Sequence, residues 1–265
     1  MRDTFCPLPF NHLYVKPDGT NLPCCRFRNF NDKNGQVTKN DSLKDYDTLD
    51  ELLNQSKWLG SIREKMLSNT KVSGCESCYV DEKNTGVSMR TMVLDEWKGV
   101  NIKEPRVTNI EITFGNYCNL ACRTCGSSLS TSWQEEDKIL SKLYPRSYVP
   151  ERQNVKKEWK PEDFTNVTLL KITGGEPLLH PDFPKFLDTV VESGKADKMT
   201  VNIFSNASMM PKKYILDRLA KFKDVGIWLS IDGTYEMQNY IRHLSNWEKV
   251  EQTTTSWFKF QNENP

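Results

Sequence analysis

The 265-residue sequence lacks the features that would place it in a membrane or on a secretory route. It has no run of 18 apolar residues, which predicts that it forms no transmembrane helix. Its first residues, Met1–Cys6, lack the apolar segment of a secretory signal peptide. We therefore expect a cytoplasmic protein with no membrane partner.

An excess of charge of one sign is also absent. The chain has 36 basic and 35 acidic residues, which give a net charge of +1. This balance offers no electrostatic argument for a nucleic-acid partner. Apolar residues are scarce at 37%, but aromatic residues make up 11%, which is enough bulk to exclude wholesale disorder.

Cysteine is the informative part of the composition, with eight residues. In a reducing compartment, closely spaced cysteines favour metal sites over disulfides. Cys75 and Cys78 form a C-x2-C pair, and Cys118, Cys122 and Cys125 form a C-x3-C-x2-C triple. Disulfides within the triple would leave one thiol over, so the triple indicates a metal centre.

The chain has two regions of different texture. Residues 1–80 are irregular and rich in Asn, Asp and Lys, with one helix predicted over Leu49–Leu67 and a short strand over His12–Val15. Residues 81–105 are typical of a helical linker. From Val107 onward, strands and helices alternate.

This alternation predicts an α/β fold of parallel strands joined by crossover helices. The predicted strands are Val107–Phe114, Val167–Thr173, Thr200–Phe204 and Val225–Ile231. The predicted helices are Leu129–Leu143, one that starts at Pro181 and stops before Gly194, Lys212–Lys221, and one from about Asn246.

The cysteine triple directly follows the first predicted strand. Three thiolates on one loop can bind three irons of a 4Fe–4S cube, which leaves the fourth iron open to a non-protein ligand. The alternative is a zinc loop that borrows a distant fourth ligand. The carboxyl ends of parallel strands form sites, so either metal would lie at such an edge.

A second motif, Gly174-Gly175-Glu176-Pro177, follows the next predicted strand. Paired glycines let the backbone approach a ligand closely. The neighbouring carboxylate can accept a hydrogen bond from an ammonium group. Its position one βα unit after the triple favours a shared site.

Together, the two motifs resemble those of the radical SAM enzymes, which have a (β/α) barrel. The resemblance implies that Cys118, Cys122 and Cys125 are the catalytic and metal-binding residues that hold a 4Fe–4S cluster. It implies that S-adenosylmethionine binds the open iron and that the Gly174–Pro177 loop receives its methionine ammonium group.

Polar residues after the third and fourth predicted strands are also similar to cofactor-binding positions of this family. They are Ser205, Asn206, Ser230, Asp232 and Arg242. Two positions depart from the family pattern. Ala207 replaces a usual glycine, and Thr124 replaces a usual aromatic residue before the third cysteine.

The N-terminal region resembles the twitch or SPASM type of auxiliary-cluster domain. The resemblance implies a second, auxiliary 4Fe–4S cluster on Cys6, Cys24, Cys75 and Cys78. Cys25 is then spare, or exchanges roles with Cys24. A zinc knuckle on the same four cysteines is the alternative.

The resemblances imply three parts: an auxiliary-cluster domain over 1–80, a helical linker over 81–105, and a partial barrel over 106–265. The barrel shows about four βα units where the family usually has about six. We expect a C-terminally incomplete chain, or a partner chain that completes the sheet.

The expected function is reductive cleavage of S-adenosylmethionine to a 5′-deoxyadenosyl radical, which abstracts hydrogen from a substrate. The resemblance favours a peptide or protein side chain as substrate and implies a reductant such as a flavodoxin or ferredoxin. One alternative substrate is a sugar, nucleotide or other small metabolite. An alternative of another class is a non-catalytic zinc or iron–sulfur module.

Overall fold

A computed structural model describes residues 4–28, 40–96, 101–144 and 158–263. These residues form two compact units. The first unit contains the described residues up to Val15, those from Gly19 to Glu111, and Asn166–Thr168. The second unit contains the other described residues. None of the described helices is long and apolar enough to cross a membrane.

The first unit is mainly helical and contains one small antiparallel pair of strands. Tyr14 of the first strand pairs with Leu22 of the second. The elements of this unit are α1 (Leu8–Asn11), β1 (His12–Val15), β2 (Asn21–Leu22), α2 (Leu49–Gln55), α3 (Lys57–Leu67), α4 (Glu76–Thr85) and α5 (Met89–Glu96).

The prediction of a single helix over Leu49–Leu67 is wrong, because the helix is interrupted at Ser56. The Thr48 hydroxyl caps α2 by accepting from the Glu51 N–H at 3.2 Å. The Ser56 hydroxyl caps α3 by accepting from the Leu59 N–H at 2.9 Å. Each cap satisfies a backbone donor that has no partner within the helix. Two short capped helices therefore replace one long one.

The second unit is built on strands that lie side by side in chain order. β4 and β5 are parallel, with Leu169 opposite Thr200, and β5 and β6 are parallel, with Thr200 opposite Asp224. Within the described residues the sheet is not closed, and β6 lies at its edge. The strands are β3 (Asn109–Thr113, of which Ile112 and Thr113 belong to this unit), β4 (Leu169–Thr173), β5 (Thr200–Ser205) and β6 (Asp224–Leu229).

The helices of the second unit alternate with these strands, which confirms the predicted α/β order. They are α6 (Gln134–Leu143), α7 (Phe183–Glu192), α8 (Lys213–Leu219), α9 (Tyr235–Ile241) and α10 (Trp247–Glu263). The helix predicted from Leu129 begins only at Gln134, because a 3-10 turn occupies Thr131–Trp133. Helix α9 has one buried residue, Gln238, and was not predicted, since its apolar residues give no clear helical stripe.

An aromatic cluster fills the core beside β3 and β4. Phe186 on α7 lies 5.2 Å from Phe114, 5.8 Å from Phe164 and 5.4 Å from Trp159, measured between ring centroids. All three pairs are edge-to-face, the arrangement that aromatic rings prefer. This packing fixes α7 against the residue that follows β3 and against the segment that precedes β4.

We expect Phe186→Ala to lower the free energy of unfolding by about 3–5 kcal/mol, because it opens a cavity in this cluster. The matched control is Phe258→Ala, since Phe258 on α10 is 62% exposed. That change should stay within about 0.5 kcal/mol. Urea denaturation of both variants measures the difference. Equal losses would contradict the assigned core.

Candidate functional site

The loops that follow β3 and β4 are joined through their backbones. The Gly175 N–H donates to the Gly115 carbonyl oxygen at 2.8 Å, and the Glu176 N–H donates to the Tyr117 carbonyl oxygen at 2.7 Å. These bonds continue the pairing of two strands beyond their ends. The loop that carries Glu176 is therefore fixed to the loop that leads into the first cysteine of the triple.

Both glycines of the second loop are required by this close approach. A Cβ atom on Gly175 would lie 2.3 Å from the Tyr117 carbonyl oxygen. A Cβ atom on Gly174 would lie 2.8 Å from the Gly115 carbonyl oxygen, and its φ of +136° is itself a conformation that favours glycine. The sequence predicted that these glycines admit a ligand. In the structure, their lack of a side chain lets the backbone of the cysteine loop approach them closely.

The cysteine loop is also held by the segment that leads into α6. The Cys118 carbonyl oxygen accepts from the Thr131 hydroxyl at 3.1 Å and from the Ser132 hydroxyl at 2.9 Å. The Cys122 carbonyl oxygen accepts from the Trp133 indole N–H at 3.0 Å. Sequence reasoning missed these residues, because they lay in a predicted helix. Their bonds to the loop explain why the chain makes a 3-10 turn there.

The end of α9 and the residues that follow it also contact the cysteine loop. The Arg123 N–H donates to the Ile241 carbonyl oxygen at 2.9 Å. This brings Arg242 into the site, with its Nη1 atom 3.9 Å from Cys122 Sγ and its Nε atom 2.9 Å from Asp232 Oδ2. The structure thus places two of the predicted polar residues, Asp232 and Arg242, beside a predicted cluster ligand.

Glu176 and Asn206 connect the ends of three strands. The buried Glu176 carboxylate accepts from the Asn206 N–H at 2.6 Å and from the Leu178 N–H at 3.3 Å. The side-chain nitrogen of Asn206, Nδ2, lies 3.7 Å from Cys118 Sγ and 2.9 Å from Asn119 Oδ1. One chain of contacts therefore runs from the Glu176 carboxylate to the first cysteine.

The other predicted residues support the strand ends, and the Ser205 hydroxyl also hydrogen-bonds to the Glu176 carboxylate. The Ser205 hydroxyl accepts from the Ala207 N–H at 3.2 Å, and the Ser205 carbonyl oxygen accepts from the Ser230 N–H at 2.8 Å. Pro177 begins a 3-10 turn. The backbone of Ala207 is left-handed, with φ +58°. This conformation favours glycine, the residue that the family pattern usually has there.

The electrostatics of the site favour one thiolate, at Cys125, within the pair Cys122 and Cys125. The Cys122 thiol donates a hydrogen bond to Cys125, which lowers the pKa of Cys125 and raises the pKa of Cys122. Burial raises the pKa of Cys118. Since the thiolate is the form that binds iron, the first proton leaves this loop most easily from Cys125.

A separate group of cysteines lies in the first unit. Cys6, Cys24, Cys75 and Cys78 line one cavity, and Cys25 is not among its lining residues. Burial raises the pKa of Cys6, Cys24 and Cys75, with Cys24 at about 12. All eight cysteines of the chain are described, and none of them is in a disulfide. Over the described ranges, no group of three or more His, Cys, Asp or Glu side chains is arranged to hold a single metal ion.

Comparison with known proteins identifies the family. The model of the radical SAM superfamily matches residues 112–258. The chain belongs to the radical SAM superfamily. A second model, the SPASM iron–sulfur cluster-binding domain, matches residues 6–79 of this radical SAM protein. The predicted family and auxiliary-cluster domain are thereby confirmed.

Solved structures similar to this radical SAM chain include Streptococcus suis SuiB bound to precursor peptide SuiA, with 18% identity and a TM-score of 0.36. They also include SuiB bound to S-adenosylmethionine, with 18% identity and a TM-score of 0.35. The matches cover 57% and 58% of this chain and 30% of each SuiB chain. No curated protein matches the chain.

The cofactors of this radical SAM protein are a 4Fe–4S cluster, S-adenosylmethionine and an auxiliary iron–sulfur cluster. The side chains fit these groups. The second unit offers three thiols on one loop, and the first unit offers four thiols around one cavity. Thiolates are the usual ligands of such clusters, three of them leave one iron open, and four close a cluster.

We expect Gly175→Ala to lower the free energy of unfolding by about 3 kcal/mol, since its methyl group would collide with backbone that has no space to move. Gly126→Ala, in the cysteine loop, is the control, because no described atom beyond the glycine and its chain neighbours lies within 4 Å of the Cβ position there. It should change stability by less than about 0.5 kcal/mol. Urea denaturation compares the two, and tolerance of an alanine at position 175 would contradict the close approach.

Burial raises the pKa of Glu176 to about 7, from an ordinary value of 4.5. The folded chain holds this proton more tightly than the unfolded chain, so the stabilising contribution is complete below about pH 4.5 and is lost as the pH rises through about 7. Relative to Glu176→Gln, the metal-free chain should lose about 3 kcal/mol over that range. Urea denaturation from pH 4.5 to 8 measures this loss, and parallel profiles for the two proteins would contradict it.

Proposed function

We propose that this radical SAM chain reductively cleaves S-adenosylmethionine and uses the product to abstract hydrogen from a peptide or protein side chain. Cys118, Cys122 and Cys125 hold the cluster in this proposal. The observation that carries it is the chain of contacts from Glu176 through Asn206 to Cys118. It supports the proposal because it joins the buried Glu176 carboxylate, after β4, to the Cys118 thiol, after β3.

When bound, the cluster and S-adenosylmethionine together supply a 5′-deoxyadenosyl radical. The residues around them bind and orient. The Glu176 carboxylate would accept a hydrogen bond from the methionine ammonium group. The backbone N–H groups of Asn206 and Leu178 keep the carboxylate in one orientation. Burial raises the pKa of Glu176. A cation beside the carboxyl group lowers its pKa again and favours the ionised form.

Arg242 and Asp232 have a complementary role. Their ion pair, at 2.9 Å, holds the guanidinium beside Cys122 and leaves other donors of Arg242 available to the cofactor carboxylate. Ser205, Asn206 and Ser230 complete the polar edge, and Gly174–Pro177 supply its backbone. A shape fixed by the loop backbones lets the site exclude water from a radical.

The proposal also includes the domain organisation and the auxiliary centre. An auxiliary-cluster domain over 1–80 and a linker over 81–105 precede a partial barrel over 106–265. Cys6, Cys24, Cys75 and Cys78 hold the auxiliary 4Fe–4S cluster. The chain acts in the cytoplasm with a reductant such as a flavodoxin or ferredoxin.

The test is anaerobic reconstitution of the full chain, followed by dithionite and S-adenosylmethionine. The chain should carry about eight irons and form 5′-deoxyadenosine. Cys122→Ala should carry about four irons and reduce 5′-deoxyadenosine formation at least about 100-fold, because one iron loses its ligand. Chromatographic quantification of 5′-deoxyadenosine and iron analysis measure both effects.

Cys25→Ala is the matched control, because Cys25 lies outside both proposed ligand sets. It should keep about eight irons and the parent rate. Cleavage that survives in Cys122→Ala would overturn the ligand assignment. Reconstituted protein that holds only zinc, or both clusters without any cleavage, would overturn the enzyme proposal.

The substrate class has its own test. We expect a short precursor peptide to be encoded beside the gene. With that peptide deuterated at its side chains, 5′-deoxyadenosine should gain deuterium by mass spectrometry, because the abstracted atom is transferred to it. Formation of 5′-deoxyadenosine without deuterium transfer would contradict a peptide side chain as the hydrogen donor.

A further inference from the structure

The cavity lined by the four cysteines of the first unit is also lined by Arg26 and Arg90. Helix α4 supplies an acid to each arginine. Asp81 Oδ2 lies 2.5 Å from Arg26 Nη2, and both carboxylate oxygens of Glu82 accept from Arg90. The same helix carries Cys78. Two cation–anion pairs therefore flank the proposed auxiliary site.

The two pairs differ in their access to water. The Arg90 side chain is 10% exposed and its partner Glu82 is 19% exposed. The Arg26 side chain is 43% exposed. Water screens an exposed charge strongly and a buried one weakly. Among the described lining residues Arg26 and Arg90 are the cations, and Arg90 therefore exerts the stronger field on a cluster held by the cysteines.

Hydrogen bonds fix Arg90 in place. Its Nε atom donates to Glu82 Oε1 at 2.8 Å, and its Nη1 atom donates to the carbonyl oxygen of Phe5, the residue before Cys6, at 3.0 Å. The Ser88 hydroxyl donates to Glu82 at 2.6 Å. The pairing raises the pKa of Arg90 and lowers the pKa of Glu82, so both are charged at neutral pH.

The orientation of this pair determines the sign of the electrostatic potential that it produces at the cysteines. Arg90 lines the cavity, whereas Glu82 is not among the lining residues. The positive end of the pair therefore faces the cysteines. Reduction of a 4Fe–4S cluster adds one electron, and a fixed cation nearby stabilises the more negative state. Cluster potentials respond to such charges and to solvent exposure.

We propose that the buried Arg90–Glu82 pair sets the reduction potential of the auxiliary cluster, with Arg90 favouring the reduced cluster and Glu82 opposing it. The inference goes beyond the proposed function. It rests on the assignment of the four auxiliary ligands, and it does not depend on cleavage of S-adenosylmethionine.

The test uses the full chain with Cys118, Cys122 and Cys125 replaced by Ala, so that the auxiliary cluster is the iron centre that is measured. A redox titration with dithionite, followed by electron paramagnetic resonance, gives its potential. Arg90→Met should lower the equilibrium constant of one-electron reduction about tenfold, or 59 mV, and Glu82→Gln should raise it by a similar factor.

Three further variants separate charge from structure. Arg90→Lys keeps the charge and should stay within about threefold of the parent. Arg26→Met is the matched control, because its cation lies on the same cavity, pairs with the same helix and is screened by water. It should shift the constant by less than about threefold. The double variant Arg90→Met with Glu82→Gln should stay within about threefold of the parent, because two opposite shifts of similar size offset each other.

Opposite signs for Arg90→Met and Glu82→Gln are the signature of the proposal, since loosened packing would move both in one direction. Shifts of the same sign, or no shift, would overturn it. If Arg90→Met fails to hold iron, a Glu82→Gln potential that does not rise overturns the proposal by itself. A parent without an auxiliary cluster also overturns it, while 5′-deoxyadenosine formation by the unaltered chain still decides the proposed function.

Discussion

The approach of two loop backbones is the constraint on which the site of the second unit depends. Gly115 and Tyr117 accept from the N–H groups of Gly175 and Glu176, at distances that leave no room for a side chain on Gly174 or Gly175. Because backbone atoms make these bonds, no rotamer can relax them. The position of the Glu176 carboxylate, which follows the second glycine directly, depends on this contact.

The same contact creates an electrostatic cost, which the surrounding strand ends offset. It buries a carboxylate whose pKa rises to about 7, and a buried charge without partners is strongly unfavourable. Backbone donors from Leu178 and Asn206 reduce that cost without supplying a full positive charge. The carboxylate is thus held in place, and among the described residues no cation pairs with it at hydrogen-bond distance, although Arg242 acts on it electrostatically. A cationic ligand group is what such a site favours.

Sequence reasoning predicted what depends on local pattern. The order of strands and helices follows from alternating apolar segments, and parallel topology places both motifs at strand ends. It failed where hydrogen bonds to residues far away in the sequence determine the backbone conformation. Hydrogen bonds from Thr131 to Cys118 convert a predicted helix start into a 3-10 turn, and Ile241 contacts Arg123 across more than 100 residues. No periodicity within one segment reports such pairs. Ser56 could have been recognised in the sequence as a helix cap. The helical spacing of apolar residues continues past it, however, and favoured one long helix.

The two cysteine groups show the same distinction in chemical terms. The triple lies within one loop, so its spacing alone brings three thiols together. The auxiliary group draws Cys6, Cys24 and the Cys75–Cys78 pair from distant segments, and only packing of the first unit gathers them at one cavity. A site gathered in this way takes its buried surroundings from the same packing, including the guanidinium of Arg90. The residues that tune such a centre are therefore found by following what the packed helices bury beside the ligands, because no motif surrounds them.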